Sequence, residues 1–434
     1  MQSNKIEESL LTGEEIIDLS RDIALNKIKQ DLKACKKQGI LICESDPHIF
    51  VGYFLAGTAS NVPVFLANPN WRQNEWEQVF SQISPALILG QAPAFPVVRT
   101  SRPQDLKLFA GHIMIPTGGT SGKIRFAMHT RYGLAKSALA TADFLGKTKI
   151  KSLCLLPLYH ISGLIQIVRF IVTEGKICFK PLESFPKDGS FKGSCLSLVP
   201  TQLERFMQNP DLITLLKTFD TVFLGGAPAT NVLLTKAREA GIRLSPTYGM
   251  TETGSMVTAM HPDDFLNGHS GVGSPLSHAE IFIDESGIIT VRSNSLFSGY
   301  FPERPIKKTL WETNDEGFLD DDDYLTITGR ADRIIITGGE KVDPREVEEA
   351  ILSTGLVLAI YVVFVPDDEW GQEVVAIYVP HKKGEDCFMN IKESIKTNLA
   401  NYKIPKKWIM VDELPFDEKG KMTKAEIEKC CGVL

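Results

Sequence analysis

The sequence predicts an α/β fold: a large N-terminal domain of sheets flanked by helices, with a small β subdomain, and then a small α+β C-terminal domain. Short apolar runs alternate with helical segments over the first half of the chain, which implies a parallel sheet with helices packed on it. Beyond Gly271 the texture changes to short β segments punctuated by Gly and Asp. After a polar, Gly-rich connection, roughly a hundred residues again alternate strand with helix. At 434 residues, with 43% hydrophobic and 9% aromatic content, the chain is too long for one ordinary core.

The elements follow in order. Ile16, Ile17, Leu19, Ile23, Leu25, Ile28 and Leu32 recur at helical intervals with charges between them, predicting an amphipathic helix. Strands are expected over Gly39–Cys43, Pro63–Ala67 and Ala86–Leu89, with helices over Ile49–Ala56 and Glu75–Ser81. A further apolar run from Ile113 breaks into a Thr/Gly/Ser loop, and a helix is expected after that loop from Tyr132 to Leu145. Ser152–Leu156 reads as a strand delivering L-P-L-Y-H-I-S-G. Leu196–Val199, and Thr221–Leu224 leading into Gly225-Gly226-Ala227-Pro228, repeat a strand entering a tight loop, the place where ligands sit in open α/β sheets.

Glu280–Asp284, Ile288–Val291 and Tyr324–Ile327 make up the β subdomain, and the Asp320–Asp323 run reads as a solvated turn. Around Gly329–Arg333 the β segments end, and Pro344 opens a helix with acids in its first turn, so a domain boundary belongs here. Strands over Ala359–Val365 and Glu373–Val379 and a helix over Phe388–Leu399 complete the chain.

A formal charge of -6 gives no basic field for nucleic acid or an anionic membrane, so an anionic ligand must be held by local donors. The 8 cysteines include no C-x-x-C pair, which argues against a zinc or redox motif and for reduced, cytosolic thiols; the Cys430-Cys431 pair reads as incidental. No apolar run reaches the roughly eighteen residues of a membrane span, and the acidic N-terminus lacks the apolar region of a signal peptide or the Arg-rich character of a transit peptide. A cytoplasmic protein without nucleic-acid partners is expected, with a homodimer left open.

The chemistry begins in I-M-I-P-T-G-G-T-S-G-K-I-R-F, Ile113 to Phe126. Gly118, Gly119 and Gly122 permit turns in which consecutive N–H groups point into one concavity, and the hydroxyls of Thr117, Thr120 and Ser121 and the ammonium of Lys123 add donors and charge. Such a loop suits a polyphosphate; the bland reading is a plain surface loop. It is not a Walker A loop, because Thr117 stands where the first Gly belongs and Ile124 where the metal-binding hydroxyl belongs.

Further polar stretches follow: Leu156 to Arg169, Gly225 to Pro228, Y-G-M-T-E-T over Tyr248–Thr253, G-R-A-D-R-I-I-I-T-G-G-E-K-V-D-P-R-E-V-E from Gly329, and Gly420-Lys421. In this order they resemble the motifs of the adenylate-forming enzymes, which include acyl-CoA synthetases, aryl-CoA ligases and luciferase. The resemblance runs from about Ile113 to the C-terminus and implies joining of a carboxylate to the α-phosphate of ATP, release of pyrophosphate and, in the ligases, displacement of AMP by coenzyme A.

By that resemblance Thr117 to Lys123 would hold the β- and γ-phosphates, Thr251 would donate to the α-phosphate and Glu252 would bind Mg²⁺; the structural alternative for Thr251-Glu252 is a helix-capping pair. Gly225, Gly226, Ala227 and Tyr248 would line the adenine, with Gly249 beside nucleotide and acyl group. Asp315, in T-N-D where the family more often has T-G-D, would accept the ribose hydroxyls, and Arg330 would add a ribose or phosphate contact. Lys421 would bridge carboxylate and α-phosphate during adenylation, with Lys419 and Lys424 solvated nearby. The resemblance also implies an adenylation domain over 1–329, a hinge over 330–333 centred on Asp332, and a mobile domain over 334–434 that brings Gly338-Gly339 to the pantetheine arm of coenzyme A. Glu340 and Lys341 accompany them without assigned roles.

L-P-L-Y-H-I-S-G-L-I-Q-I-V-R adds substrate information. His160, Ser162 and Gly163, with Arg169 on the helix behind, resemble the 2-succinylbenzoate-CoA ligases of menaquinone and phylloquinone biosynthesis. One carboxylate of 2-succinylbenzoate is activated, and the other needs a cation. Arg169, flanked by Ile167, Val168, Phe170 and Ile171, is costly to bury unpaired, so either an anionic ligand or an intramolecular acid should pair it. His160 would contact the acyl carboxylate or gate its tunnel. The Ile124-Arg125-Phe126 exit, in place of the commoner Pro-Lys-Gly, resembles the same ligase group and leaves Arg125 without a role. Alternatives are another aryl- or acyl-CoA ligase with a monocarboxylate substrate and a non-catalytic nucleotide-binding relative.

Overall fold

The computed structural model describes residues 38–93, 106–118, 123–179, 193–331, 335–337, 340–367, 370–382, 387–396 and 399–414, with positions 32, 35, 426, 429 and 430. The predicted 16–32 helix lies outside them apart from Leu32. The chain opens with β1 (Ile40–Cys43), α1 (Pro47–Ala59), β2 (Val64–Leu66), α2 (Gln73–Gln82) and β3 (Leu87–Gly90), followed by β4 (His112–Gly118), β5 (Ile124–Thr130) and α3 (Arg131–Leu145). Asp46 caps α1 by accepting from the backbone N–H groups of His48 and Ile49, and Thr130 caps α3 through Gly133.

β1 to β4 run parallel, but β5 returns antiparallel to β4, with Thr117 opposite Arg125 and Gly118 opposite Ile124. The Gly-rich segment therefore joins a β-hairpin, and the helix expected after it begins only beyond a seven-residue strand. The sheet expected to be parallel is therefore mixed, parallel over β1 to β4 and antiparallel at β5.

A second sheet is built from β6 (Lys151–Cys154), α4 (Ile161–Thr173), β7 (Lys176–Phe179), β8 (Cys195–Leu198), α5 (Pro200–Met207), α6 (Pro210–Leu216), β9 (Thr221–Leu224), α7 (Asn231–Glu239), β10 (Leu244–Met250), β11 (Ser255–Ala259), α8 (Pro262–Leu266) and β12 (Ser274–Pro275). Its order is β12-β11-β10-β9-β8-β6-β7, parallel from β10 to β7. α3 and α4 lie between the two sheets: Leu134 and Ala138 of α3 and Leu164 to Val168 of α4 pack with Ile40, Val64 and Ile113 of the first sheet, while Ala140 and Ala142 pack with Cys195 and Phe223 of the second. Each fully buried Leu or Ile there contributes about 1.5–3 kcal/mol by leaving water.

An antiparallel sheet follows from β13 (Ala279–Ile283), β14 (Ile288–Ser293), β16 (Leu310–Leu319) and β17 (Leu325–Arg330), whereas β15 (Tyr300–Phe301) leaves it to pair with β5 at the edge of the first sheet. Asp320 to Asp323 form an exposed turn in which the Asp320 carboxylate accepts from the backbone of Asp322 and Tyr324.

The connection read as merely polar and Gly-rich contains β18 (Ile335–Thr337) paired with β19 (Glu340–Val342). Beyond it, α9 (Pro344–Leu352), β20 (Val357–Asp367), β21 (Gly371–Pro380), α10 (Phe388–Ile395) and β22 (Lys407–Met410) close around a core of Ile335, Val342, Val347, Val374 and Ile391. Among the described residues no helix is long and apolar enough to cross a membrane.

Candidate active site

The Gly-rich hairpin is held from behind by a helix. Gln78 Oε1 accepts from the Ile124 N–H at 2.9 Å, and Gln82 Nε2 donates to the Ile124 carbonyl at 2.9 Å. One turn apart on α2, these glutamines fix both backbone groups of the loop's first exit residue. Ile124 is buried, Lys123 exposed and Thr117 half-buried, so the anchor lies in the core while the cation faces outward. Gly119, Thr120, Ser121 and Gly122 lie outside the described residues.

Thr251 and Glu252 sit in the turn joining β10 to β11; the helix-capping alternative does not apply, because a strand follows. Thr253 fastens the turn, its hydroxyl bonding to the backbone of Met250 and to the Ser255 carbonyl at 2.6 Å. His129 of β5, fully buried, donates from Nε2 to the Thr251 carbonyl at 2.7 Å. Burial pushes the His129 imidazole down to about 4, so it is neutral near pH 7, and the bond requires its remaining proton on Nε2. The hairpin that carries the Gly-rich loop is thereby tied to the turn that carries Thr251.

Glu252 is 8% exposed; Oε1 accepts from the Tyr300 hydroxyl at 2.6 Å, and its backbone carbonyl accepts from the Phe297 N–H at 2.8 Å. Oε2 accepts nothing among the described residues. No cluster of three metal-ligating side chains exists among the described residues. The donor set fits Mg²⁺, which characteristically takes one or two carboxylates together with substrate phosphates and water: Glu252 would hold the ion with the nucleotide, and the ion would neutralise charge on the transferring phosphates.

At the nucleoside end, Gly225 follows β9 so closely under β10 that a Cβ there would stand 2.4 Å from Thr247 Oγ1. Gly226 takes φ +83, and Gly249 lies at a β-bulge where a Cβ would meet the Ser255 carbonyl at 2.2 Å. These glycines keep backbone, not side chains, at the carboxyl end of the sheet. Tyr248 donates its hydroxyl to Asp315 Oδ2 at 2.7 Å, and Arg330 Nη1 donates to Asp315 Oδ1 at 3.1 Å. Burial first, then the Asp315 charge, pushes the Tyr248 phenol well above its usual range, so it remains a donor. Tyr248, Asp315 and Arg330, far apart in sequence, converge as one group.

His160 precedes α4 as its N-cap residue and is buried, with its ring centroid 4.5 Å from that of Tyr159. Gly163 lets α4 start against the preceding turn, since a Cβ there would lie 2.2 Å from the Pro157 carbonyl oxygen. Ser162 is half-buried, and its carbonyl accepts from Gln166 Nε2 at 3.0 Å.

Arg169, two turns further along α4, is 2% exposed, and its Nε and Nη1 have no hydrogen-bond partner among the described residues. Its guanidinium carbon lies 5.5 Å from the Phe223 ring centroid. Burial lowers it to about 10, still well above neutrality, so it is a cation. Its neighbours Cys154 and Cys195 are thiols pushed up by burial, Cys154 to about 12, and supply no countercharge. The intramolecular acid that could have paired Arg169 is absent among the described residues.

The central sheet explains how such a cation is accommodated. Register places Ser152 beside Cys195, Cys195 beside Thr221, Ser197 beside Phe223 and Phe223 beside Ser245, all on the face towards α3 and α4. The opposite face, Leu153, Leu196, Leu198, Val222, Leu224 and Leu244, forms an aliphatic core with Leu203, Phe206 and Leu233. Ser137 Oγ of α3 and Gln166 Oε1 of α4 are likewise buried without partners among the described residues. Unpaired buried polar groups cost about 1–3 kcal/mol each, a cost that a polar ligand reaching them would offset.

Asp332, Gly338, Gly339 and Lys421 lie outside the described residues. Sequence reasoning missed Gln78, Gln82, His129 and Tyr300; of these only His129 had a local signal, as the polar end of an alternating strand.

Comparison with known proteins adds to this geometry. The model of the AMP-binding enzyme family matches residues 67–301, and that of the AMP-binding enzyme C-terminal domain matches 346–421. The 2-succinylbenzoate–CoA ligase of Listeria monocytogenes is 31% identical over 331 residues, 72% of this chain and 68% of that protein. The protein of the same description from Bacillus cereus is 30% identical over 353 residues, 77% of this chain and 73% of that one. The o-succinylbenzoate CoA synthetase (MenE) of Bacillus subtilis, solved with the acyl-adenylate intermediate OSB-AMP, has a TM-score of 0.76 at 23% identity, covering 93% and 92% of the two chains. ATP-bound MatB from Rhodopseudomonas palustris gives 0.76 at 21% identity with the same coverage. At these identities the structural likeness speaks for the fold.

Proposed function

Since this chain belongs to the AMP-binding enzyme family, we propose that it is an ATP-dependent 2-succinylbenzoate–CoA ligase working through an acyl-adenylate, in menaquinone or phylloquinone biosynthesis. One carboxylate of 2-succinylbenzoate attacks the α-phosphorus of ATP, and the bond to pyrophosphate breaks. The coenzyme A thiol gives up its proton to solvent, the resulting thiolate attacks the acyl carbon, and the bond to AMP breaks. Both steps displace an anion, so the chain's contribution is positioning and charge stabilisation.

The hairpin bearing Thr117 and Lys123 holds the pyrophosphate end, and Thr251 donates to the α-phosphate from a turn that His129 and Thr253 keep rigid. Asp315, oriented by Tyr248 and Arg330, accepts from the ribose. Lys421 bridges the attacking carboxylate and the α-phosphate. Residues 330–333 act as the hinge between a 1–329 domain and a 334–434 domain, and Gly338-Gly339 pass the pantetheine arm in the second step. The enzyme works on small molecules in the cytoplasm.

The observation that carries the choice of acid is Arg169: a buried cation with no carboxylate paired to it among the described residues. The second carboxylate of the substrate supplies the missing charge. The test is AMP and pyrophosphate release with 2-succinylbenzoate and coenzyme A, set against monocarboxylates such as benzoate. ADP release, or equal turnover of the monocarboxylates, overturns the proposal.

A further inference from the structure

Arg125 has no part in the reaction as described, yet the fold gives it a defined place. Its guanidinium carbon stands 4.1 Å from the centroid of the Tyr300 ring. Tyr300 is on β15, which pairs with β5 so that Tyr300 lies opposite Ala127, two residues beyond Arg125. From there its hydroxyl reaches Glu252 Oε1 at 2.6 Å, while the backbone N–H of Phe297, on the same segment, donates to the Glu252 carbonyl at 2.8 Å. The Tyr300 ring also meets Phe297 in a T-shaped contact with centroids 4.9 Å apart, and Phe297 meets Trp311 at 4.8 Å. The phenol ring thus packs against both a cation and an aromatic pair, and it donates its single proton to a buried carboxylate.

We propose that Tyr300 is the positioning residue for Glu252, with Arg125 clamping the Tyr300 ring, so that the exit of the Gly-rich hairpin and the magnesium-facing carboxylate are set as one unit. With Oε1 already accepting the Tyr300 proton, Oε2 is the oxygen without a protein donor among the described residues, and the hydrogen bond limits rotation of the carboxylate that would meet the metal. A carboxylate otherwise free to rotate would lose part of its affinity to reorientation. This deepens the reading of Glu252 as a magnesium ligand and rests on it.

The experiment measures ATP binding by calorimetry as Mg²⁺ is titrated, with no acid or coenzyme A present, and repeats it in EDTA. Glu252→Gln establishes the underlying reading: its Mg²⁺ requirement must change. Tyr300→Phe keeps the ring and removes only the hydroxyl; the half-saturating Mg²⁺ is expected to rise about tenfold, the range typical of an outer-shell partner, with metal-free ATP binding unchanged. Arg125→Met, at an exposed position that folding tolerates, is expected to raise it about threefold, and Arg125→Lys to restore most of that.

An unchanged Mg²⁺ requirement in folded Tyr300→Phe, with Glu252→Gln altered, overturns the proposal alone. No change in Glu252→Gln overturns the metal reading and the proposal with it. If Tyr300→Phe does not fold, Arg125→Met decides: no shift in that variant overturns the clamp.

Discussion

Arg169 holds its guanidinium carbon 5.5 Å from the centroid of the Phe223 ring, beside the thiols of Cys154 and Cys195. Such a cation carries a desolvation cost that nothing among the described residues offsets. Replacing it with methionine, of similar length, should therefore raise stability by ~1–4 kcal/mol in urea unfolding. The same variant should lose ~2–5 kcal/mol in kcat/KM for 2-succinylbenzoate with ATP affinity retained. A stability loss together with unchanged substrate preference would make Arg169 a structural residue.

The pair Tyr248–Asp315 makes a second prediction. Tyr248→Phe leaves the 8% exposed Asp315 with Arg330 as its remaining side-chain donor and should cost ~1–3 kcal/mol of stability. If Asp315 accepts from the ribose, the native enzyme prefers ATP to 2′-deoxy-ATP, and Asp315→Ala removes that preference, a change of ~1.5–3 kcal/mol in relative binding.

His129 predicts an acid response. Its imidazole stays neutral in the fold down to about 4, whereas in the unfolded chain it protonates near 6.5. Between those values the unfolded chain binds the additional proton, so stability falls as pH falls through this window and is level above it. The full loss is about 3 kcal/mol. His278, also pushed down to about 4 by burial, and His112, pushed down by burial as well, titrate in the same window, so His129→Asn should remove part, not all, of the slope in unfolding free energy between pH 6.5 and 4.

Lys421→Ala should abolish pyrophosphate release while leaving thioester formation from supplied acyl-adenylate largely intact. Equal loss of both half-reactions would remove Lys421 from the adenylation step.

Much of the fold was legible because its signals are local. Thr221–Leu224 is an uninterrupted apolar run ending in glycines, and the observed strand has those bounds. The β5 strand leaves a trace too, in the alternation of Ile124, Phe126 and Met128, although the adjacent glycines mask it; the helix after it runs from Arg131 to Leu145, one residue from the expected start at Tyr132. Tertiary contacts left no such trace. Gln82 finds the Ile124 carbonyl from 42 residues away and Tyr300 finds Glu252 from 48, and a glutamine or tyrosine looks the same in sequence whether it holds a loop or faces water. Asp315 and Arg330 could be picked out only through the resemblance; their meeting, one strand apart, depends on the register of β16 against β17.

The two unlike faces of the central sheet divide labour in a way that bears on how such proteins diversify. Leu196, Leu198, Val222 and Leu224 anchor the scaffold from one side, while Ser152, Cys195, Ser197 and Ser245 look the other way from alternate positions of the same strands. On the proposed function, exchanging a serine for alanine or a cysteine for valine on the latter side would alter the surroundings of the bound acid, while the leucines point to the opposite face. Selection can therefore retune what the molecule accepts while its mechanical foundation stays constant, and a new specificity needs few mutational steps to reach.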